Sequence, residues 1–554
     1  MNDIRRTILW VVFGFSLVML WDQWQIHNGR KPTFFPSTTA PSATVTDSKQ
    51  APSAPNGVNT PASTAQVNKA EIQNTNQVPA KLVDVQTDVL KLQFSTLGGS
   101  LIKAELLKHK DVHRADSNML LMDDSAERIY LAQTGLIGGP EIANWPNHKS
   151  TMLVSGPTEL KDGDNQLEIR FESAIASDVK LVKTYTLKRA SYVIEVNHEI
   201  VNTSAQTITP QLYVQLVRDG NKPAGESSFY STFTGPAIYT TQKKYQKVEF
   251  ADIEKNKADY EKQSSQGYVA MVQHYFATAW VLEDGVSRDI FARKVDNNLY
   301  AVGMVAPLAA LAPGEKRALQ ARLFIGPQEE KTLEAIYPGL ELVKDYGWLT
   351  ILSKPLYWLL YELNRLIGNW GWSIVALVIV LKAAFYWLNA QAYQSMAKMK
   401  AINPKIMEMR ERLKDNPQQM QMEMMRIYRE EKVNPLGGCL PIAIQIPFFI
   451  ALYWVLLSSV EMRNAPWVGW VHDLAAPDPW FILPLLMTAT SMFQTWLNPT
   501  PPDPIQAKMM WFMPLAFSVM FFFFPAGLVL YWLTNNILSI AQQWFINKKL
   551  GVMK

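Results

Sequence analysis

The run from Trp370 to Ala390 constrains this chain more than any other. After Trp370-Gly-Trp-Ser it is apolar from Ile374 to Leu381, is interrupted by Lys382, and resumes as Ala-Ala-Phe-Tyr-Trp-Leu. Its length and apolarity predict a membrane-spanning helix over 371–390. At about 1.5 Å rise per residue, Lys382 falls roughly 15 Å below Trp372, near the middle of a hydrocarbon layer about 30 Å thick. A lysine there costs about 2.5–3.5 kcal/mol on insertion scales. It either pairs with a neighbouring helix for structure alone, or it marks a polar site that the protein supplies with water or a partner.

The rest of the chain tells the two apart only in aggregate. Its 554 residues are enough for several domains. A single cysteine, Cys439, excludes an intrachain disulfide, and seven histidines beside it give no Cys/His zinc pattern. There is no phosphate loop, no catalytic constellation, and nothing that calls for a cofactor.

Residues 1–26 read as an uncleaved anchor. Arg5 and Arg6 precede an apolar run from Ile8 to Leu20, and bulky Trp21 and Trp24 stand where a cleavage site would need small residues. Residues 27–80, rich in Pro, Ser, Thr, Ala, Asn and Gln, read as a flexible linker. In 81–345, Leu90, Leu92 and Phe94 alternate with polar residues, as do Leu167, Ile169 and Phe171, and Leu212, Val214 and Leu216. Val179 to Val201 reads as two long strands split near Lys188 to Ser191. Such short alternating runs with turn signals predict an all-β sandwich. His198 reads as a structural residue of a strand, and Asp219-Gly220-Asn221 as a turn.

Residues 346–554 read as a helical membrane core. A helix lying in the interface is predicted over 355–367, with Ser353 and Pro355 at its start. Further spans are predicted over 440–457, 480–496, 509–524 and 527–545, several of them short enough to favour a thinned bilayer. Lysines and arginines crowd 391–434, whereas the loop from Glu461 to Pro479 carries only Arg463. The positive-inside rule then places 391–434 and both termini in the cytoplasm and the β domain outside. The segment 391–434 is itself predicted as a cytoplasmic helical hairpin, broken at Asn416-Pro417. Its many methionines, Met409 among them, either pack the seam between the two helices or present an adaptable surface to apolar partners.

Polar residues recur inside the predicted spans. Gln445 precedes Pro447, and Thr488, Ser491 and Gln494 recur at spacings of three. Asn535, Ser539 and Gln542 form an i, i+4, i+7 stripe, with Asn536 and Gln543 beside it. Interhelical hydrogen bonding explains any one of these; with Lys382 they suggest a wet groove. A channel would need a closed ring of such groups, and a transporter usually shows repeated halves. A polar groove with short spans and a methionine-rich hairpin suits a device that eases other chains into the bilayer. A transporter with an accessory β domain, and an assembly factor that binds membrane proteins without inserting them, remain as alternatives.

Several ordered strings carry a resemblance. Asp345-Tyr-Gly-Trp348, Gly368-Asn-Trp-Gly371, Ser395-Met-Ala-Lys-Met399, Met409-Arg-Glu-Arg412, Glu431 to Cys439 and Gly527-Leu-Val-Leu-Tyr531 closely resemble the YidC family of bacterial membrane protein insertases. Leu97-Gly-Gly-Ser100 resembles the start of that family's periplasmic domain. The resemblance implies a polytopic α-helical membrane protein with an N-terminal anchor and a five-helix core, an all-β periplasmic supersandwich, and no enzymatic reaction. It implies a hydrophilic groove open to cytoplasm and lipid; Lys382 stands where the family carries an arginine, which loses the planar bidentate fork. Val378, Tyr531 and Trp532 match places of client contact, and the hairpin around Asp415, with Met409 and Arg412, resembles the family's docking site. The implied partners are nascent membrane proteins, the Sec translocon, the ribosome, signal-recognition components and the phospholipid bilayer of the inner membrane, with no sequence-specific nucleic-acid binding.

Overall fold

Alternation and helical periodicity fall in different units of the chain. In a computed structural model, the chain divides between Asp345 and Tyr346 into a β unit and a helical unit. The structure describes residues 80–111, 116–140, 142–174, 178–223, 232–413, 416–431, 440–498 and 504–549. The expected anchor over 1–26, the linker up to residue 79, Asp415 and Cys439 lie outside these.

The β unit holds two nine-stranded sheets. One runs from Leu82–Gln86 at its edge through Ile129–Ile137 and Gln211–Asp219 to Gln263–Ser264. The other runs from Lys244–Lys247 through Lys316–Pro327, Val193–Asn202 and Val179–Lys188 to Met152–Ser155. All their strand pairs are antiparallel, which lets one face of each strand be apolar. The two long strands split near Lys188 to Ser191 are Val179–Lys188 and Val193–Asn202, paired directly. Two short helices, α1 (Phe250–Glu254) and α2 (Glu330–Ile336), complete the unit.

Polar side chains stitch the sheets together inside the sandwich. Lys183 is fully buried and donates from Nζ to the carbonyls of Gly98 (2.6 Å) and Thr134 (2.8 Å). Tyr185 donates to the Gly99 carbonyl at 2.8 Å. His198 Nε2 lies 3.0 Å from Thr134 Oγ1. The Leu97-Gly-Gly-Ser turn is therefore held by its carbonyls, and His198 has a packing role. Burial draws the Lys183 ammonium down to about 7. Burial first, then the charge of Lys183, draws His198 down to about 3.

The helical unit begins with α3 (Thr350–Ile367). This helix starts earlier than 355–367: Pro355 lies inside it, and Ser353 turns inward to donate to the Ala451 carbonyl at 3.2 Å. One face, with Leu356, Tyr357 and Leu360, is buried, while Ile351, Trp358 and Leu366 are exposed. The string Gly368-Asn-Trp-Gly371 is the joint to the next helix. Gly368 closes α3 at φ 73°, where a side chain would be strained. Asn369 then caps α4 (Trp370–Ala384), accepting from the Trp372 amide at 3.0 Å and donating to the Pro466 carbonyl.

The predicted single helix over 371–390 is broken. α4 ends at Ala384, and α5 (Tyr386–Arg412) leaves it at 70°. No proline or glycine lies at the break. Gln542 Nε2, from another helix, donates to the Tyr386 carbonyl there at 3.1 Å, the kind of side-chain capture that accompanies sharp kinks. α6 (Pro417–Glu430) starts where Asn416 accepts from the Gln419 amide and Pro417 takes the first turn. Ile402, Ile406 and Met409 of α5 pack with Met420, Met424 and Ile427 of α6. Met407, Met422 and Met425 are exposed, so the methionines divide between seam and surface.

α7 (Leu440–Ser458), α8 (Ile482–Leu497), α9 (Pro504–Phe521) and α10 (Ala526–Lys549) follow. Among the described residues no single helix is long and apolar enough to cross a membrane; α4 and α5 qualify only as a bent pair. Ile444–Ser458, Ile482–Leu497 and Ala507–Phe521 are shorter apolar helices. Their common core includes Ile374, Leu377, Leu452, Val455, Leu483 and Leu530.

Candidate functional site

Helical spacing puts Val378 and Lys382 on one side of α4, one turn apart. That side faces a small, partly open cleft. α4 contributes Val378 and Lys382, and the break contributes Phe385. Asn389 comes from α5, Gln445 and Phe448 from α7, and Tyr531 and Asn535 from α10. No aspartate or glutamate is among the residues lining it.

Lys382 Nζ donates to Ser539 Oγ at 2.7 Å, and Ser539 Oγ donates to the Asn535 carbonyl at 2.7 Å. Gln445 Nε2 donates to Asn389 Oδ1. The ammonium thus has a neutral acceptor and no carboxylate partner within the cleft. Among the described residues no ion pair cancels its charge, and it stands beside amides that can replace water around a polar guest. Phe385 and Phe448 meet edge to face, centroids 5.0 Å apart, and Phe449 packs on Tyr531 at 5.9 Å. The cleft is a small polar floor with aromatic walls.

The polar residues of α10 sort onto two sides. Asn535, Ser539 and Gln542 face the α4–α5 break, as the i, i+4, i+7 spacing predicts. Asn536, expected in the groove, does not line the cleft. It donates to Ser491 Oγ of α8 at 2.9 Å, because one further residue turns the side chain about 100° around the helix. Gln543 likewise donates to Asn498, at 2.9 Å. Thr488 spends its hydroxyl on its own helix, donating to the Pro484 carbonyl.

The three residues matched to client contact also divide. Val378 and Tyr531 line the cleft, although both are nearly buried. Trp532 instead packs on Phe521 and Phe524, with centroids at 4.9 and 5.7 Å. Met409 is buried in the α5–α6 seam, and Arg412 is exposed in the last turn of α5. Sequence reasoning missed Asn389 and Phe385. Asn389 was visible as a polar residue within the stretch 371–390, but only the bend brings it to Gln445.

Comparison with known proteins gives these features a family. The family model described as the YidC periplasmic domain matches residues 82–359, and that described as 60Kd inner membrane protein matches 362–552. The chain is 53% identical over 556 residues to the membrane protein insertase YidC of Burkholderia multivorans (strain ATCC 17616 / 249), covering 100% of this chain and 99% of that one. It is 51% identical over 570 residues to the insertase YidC of Janthinobacterium sp. (strain Marseille), covering 100% of both. A crystal structure of an active YidC insertase aligns over 84% of this chain and 93% of its own, at 19% identity and a TM-score of 0.39. The chain, with its β-sandwich unit and its helical C-terminal region, belongs to the YidC family of membrane protein insertases.

Proposed function

We propose that this chain moves nascent hydrophobic segments from the cytoplasm into the inner membrane through the cleft at Lys382, alone or beside the Sec translocon, and assists their folding. The observation that supports this most is the gathering of Lys382, Ser539, Asn389, Gln445 and Asn535 from α4, α5, α7 and α10 at one cleft. A client's polar flank entering hydrocarbon loses its water, at a cost of roughly 2–7 kcal/mol per unpaired polar group. The cleft replaces part of that water with an ammonium and amides. The client's apolar part then passes along Val378 and Tyr531 into lipid, while Trp532, turned toward Phe521 and Phe524, supports the neighbouring wall. No bond is made or broken, so the gain lies wholly in a lowered desolvation barrier.

In this reading the chain is multi-pass, with both termini cytoplasmic, the sandwich periplasmic, and the short apolar helices spanning a thinned bilayer. The paired helices α5 and α6, with Met409, Arg412 and the neighbouring Asp415 of the sequence, dock ribosome and signal-recognition partners. The test is insertion of a short, acidic-flanked, single-span client into liposomes that hold this protein alone. Wild type and Lys382→Arg are expected to insert it, and Lys382→Ala and above all Lys382→Glu to fail. Equal insertion by all four would remove the charged cleft from the mechanism, and solute flux without insertion would favour a transporter.

A further inference from the structure

Among the described residues, one buried polar atom of the cleft lining has no hydrogen-bond partner. Asn389 is 5% exposed, lines the cleft with Lys382 and Gln445, and makes no hydrogen bond through its buried Nδ2. Its carboxamide oxygen is taken by Gln445 Nε2, which fixes the amide plane and leaves the buried N–H edge without a partner among the described residues. Buried donors are paired in the great majority of cases, because leaving one unmade forfeits its lost hydration. A donor held this way is set for an acceptor that arrives from outside the fold.

The bend is what puts it there. In a straight helix Asn389 would lie about two turns, or ~10 Å, further along α4 from Lys382. The 70° break at Phe385 carries it instead against Gln445 of α7. Phe385 and Phe448 line the same cleft, so a hydrogen bond made there is electrostatically stronger than one in water. With no carboxylate among the lining residues, Lys382 and Asn389 both present N–H groups.

We infer that Asn389 is a specificity-determining residue of the cleft: its free Nδ2–H donates to an acceptor on the passing client and, with Lys382, favours carboxylate-bearing flanks over basic ones. This rests on the insertase reading of the cleft. Asn389→Asp replaces the donor by a negative acceptor at almost unchanged size, and Asn389→Leu removes the donor while filling the space.

The experiment uses the full-length protein in liposomes with two single-span clients that differ only in an Asp-Asp or a Lys-Lys flank, and it reads the ratio of their insertion. Asn389→Asp is expected to lower the Asp-to-Lys ratio about tenfold, the change that ~1.4 kcal/mol gives, and Asn389→Leu to lower it less. Lys382→Leu serves as reference. If Lys382→Leu moves the ratio and neither Asn389 variant does, Asn389 is structural and the inference is overturned while the insertase reading stands. If Lys382→Leu also leaves it unmoved, the charged cleft fails with it. A photoreactive side chain at position 389 gives a second readout that does not depend on the ratio. Adducts with the Asp-flanked client support contact, and adducts from 378 without any from 389 overturn it.

Discussion

Lys382 and Ser539 stand 157 residues apart in sequence and 2.7 Å apart in space, the lysine donating from Nζ to the serine hydroxyl oxygen. Ser539 gives its own proton to the Asn535 carbonyl, which leaves its oxygen turned to the lysine as an acceptor. A neutral partner holds the ammonium in place without cancelling its charge.

That pairing predicts graded losses. Ser539→Ala removes one hydrogen bond to a charged group, worth about 1.5–3 kcal/mol, so insertion of an acidic-flanked client should fall about tenfold or more. Ser539→Thr keeps the hydroxyl and should recover most of the activity. A Thr variant as poor as Ala would mean that side-chain volume, and not the hydroxyl, matters at this position.

Gly371 sets packing against helix propensity. Within a helix, Gly371→Ala would ordinarily stabilise by about 1 kcal/mol. Here the added Cβ would lie 2.3 Å from the Trp467 ring, held over Gly371 by the loop that follows α7. Overpacking costs about 1–3 kcal/mol, so the variant should lower the melting temperature in detergent, and Gly371→Val should lower it further. A raised melting temperature for Ala would show that Trp467 swings away freely.

Lys183 should make the β unit more stable as pH rises from about 7 toward about 9. Above that, the unit's buried tyrosines, held above their ordinary 10 by burial, ionise in the unfolded chain and reverse the trend. Lys183 titrates at about 7 when folded and near its ordinary 10.5 when unfolded. Between those values the unfolded chain holds the extra proton, and stability rises with pH wherever it does. His198, drawn down from 6.5 to about 3, acts with the same sign, so stability is lost as pH falls from 6.5 toward 3. Hydrogen exchange in the full-length protein, corrected for intrinsic rates, should show protection of Val179–Lys188 and Val193–Asn202 rising above pH 7. Lys183→Met should flatten that rise, and an unchanged rise would assign it to other groups.

Two methionines of the paired helices should behave oppositely. Met409 is 4% exposed and sits in the seam, so Met409→Ala should cost about 2–5 kcal/mol of local packing and open α5 and α6 to trypsin at Arg410 and Arg412. Met422 is 68% exposed, and Met422→Ser should leave the cleavage rate unchanged. Equal protease sensitivity of both variants would contradict the seam.

Much of the fold was legible because its signals are local. Leu90, Leu92 and Phe94 alternate and form one strand, Leu90–Ser95, with those three buried. Asn416-Pro417 starts a helix because a side-chain oxygen can take a first-turn amide and a proline loses no bond there. The stripe Asn535, Ser539, Gln542 stayed on one side of α10 because 3.6 residues make a turn. Two local readings failed for the same kind of reason. Ser353 and Pro355 predict a helix start, but α3 begins at Thr350, Pro355 lies inside it, and Ser353 turns inward onto the Ala451 carbonyl.

The sequence alone determined that Lys382 lies in an apolar helix, that polar residues recur in the helices near it, and that an alternating β unit precedes them. These follow from burial and periodicity, which each segment carries in its own residues. Tertiary structure alone decided that the helix breaks at Phe385, that Asn389 meets Gln445, that Asn536 leaves the cleft for Ser491, and that Lys183 is buried between sheets. Each of those depends on which group a distant segment presents. Gln542 takes a carbonyl at the break, and Gly98 and Thr134 give the fully buried Lys183 two acceptors. A hydrogen-bond partner supplied from elsewhere in the chain leaves no periodic mark on the segment that receives it.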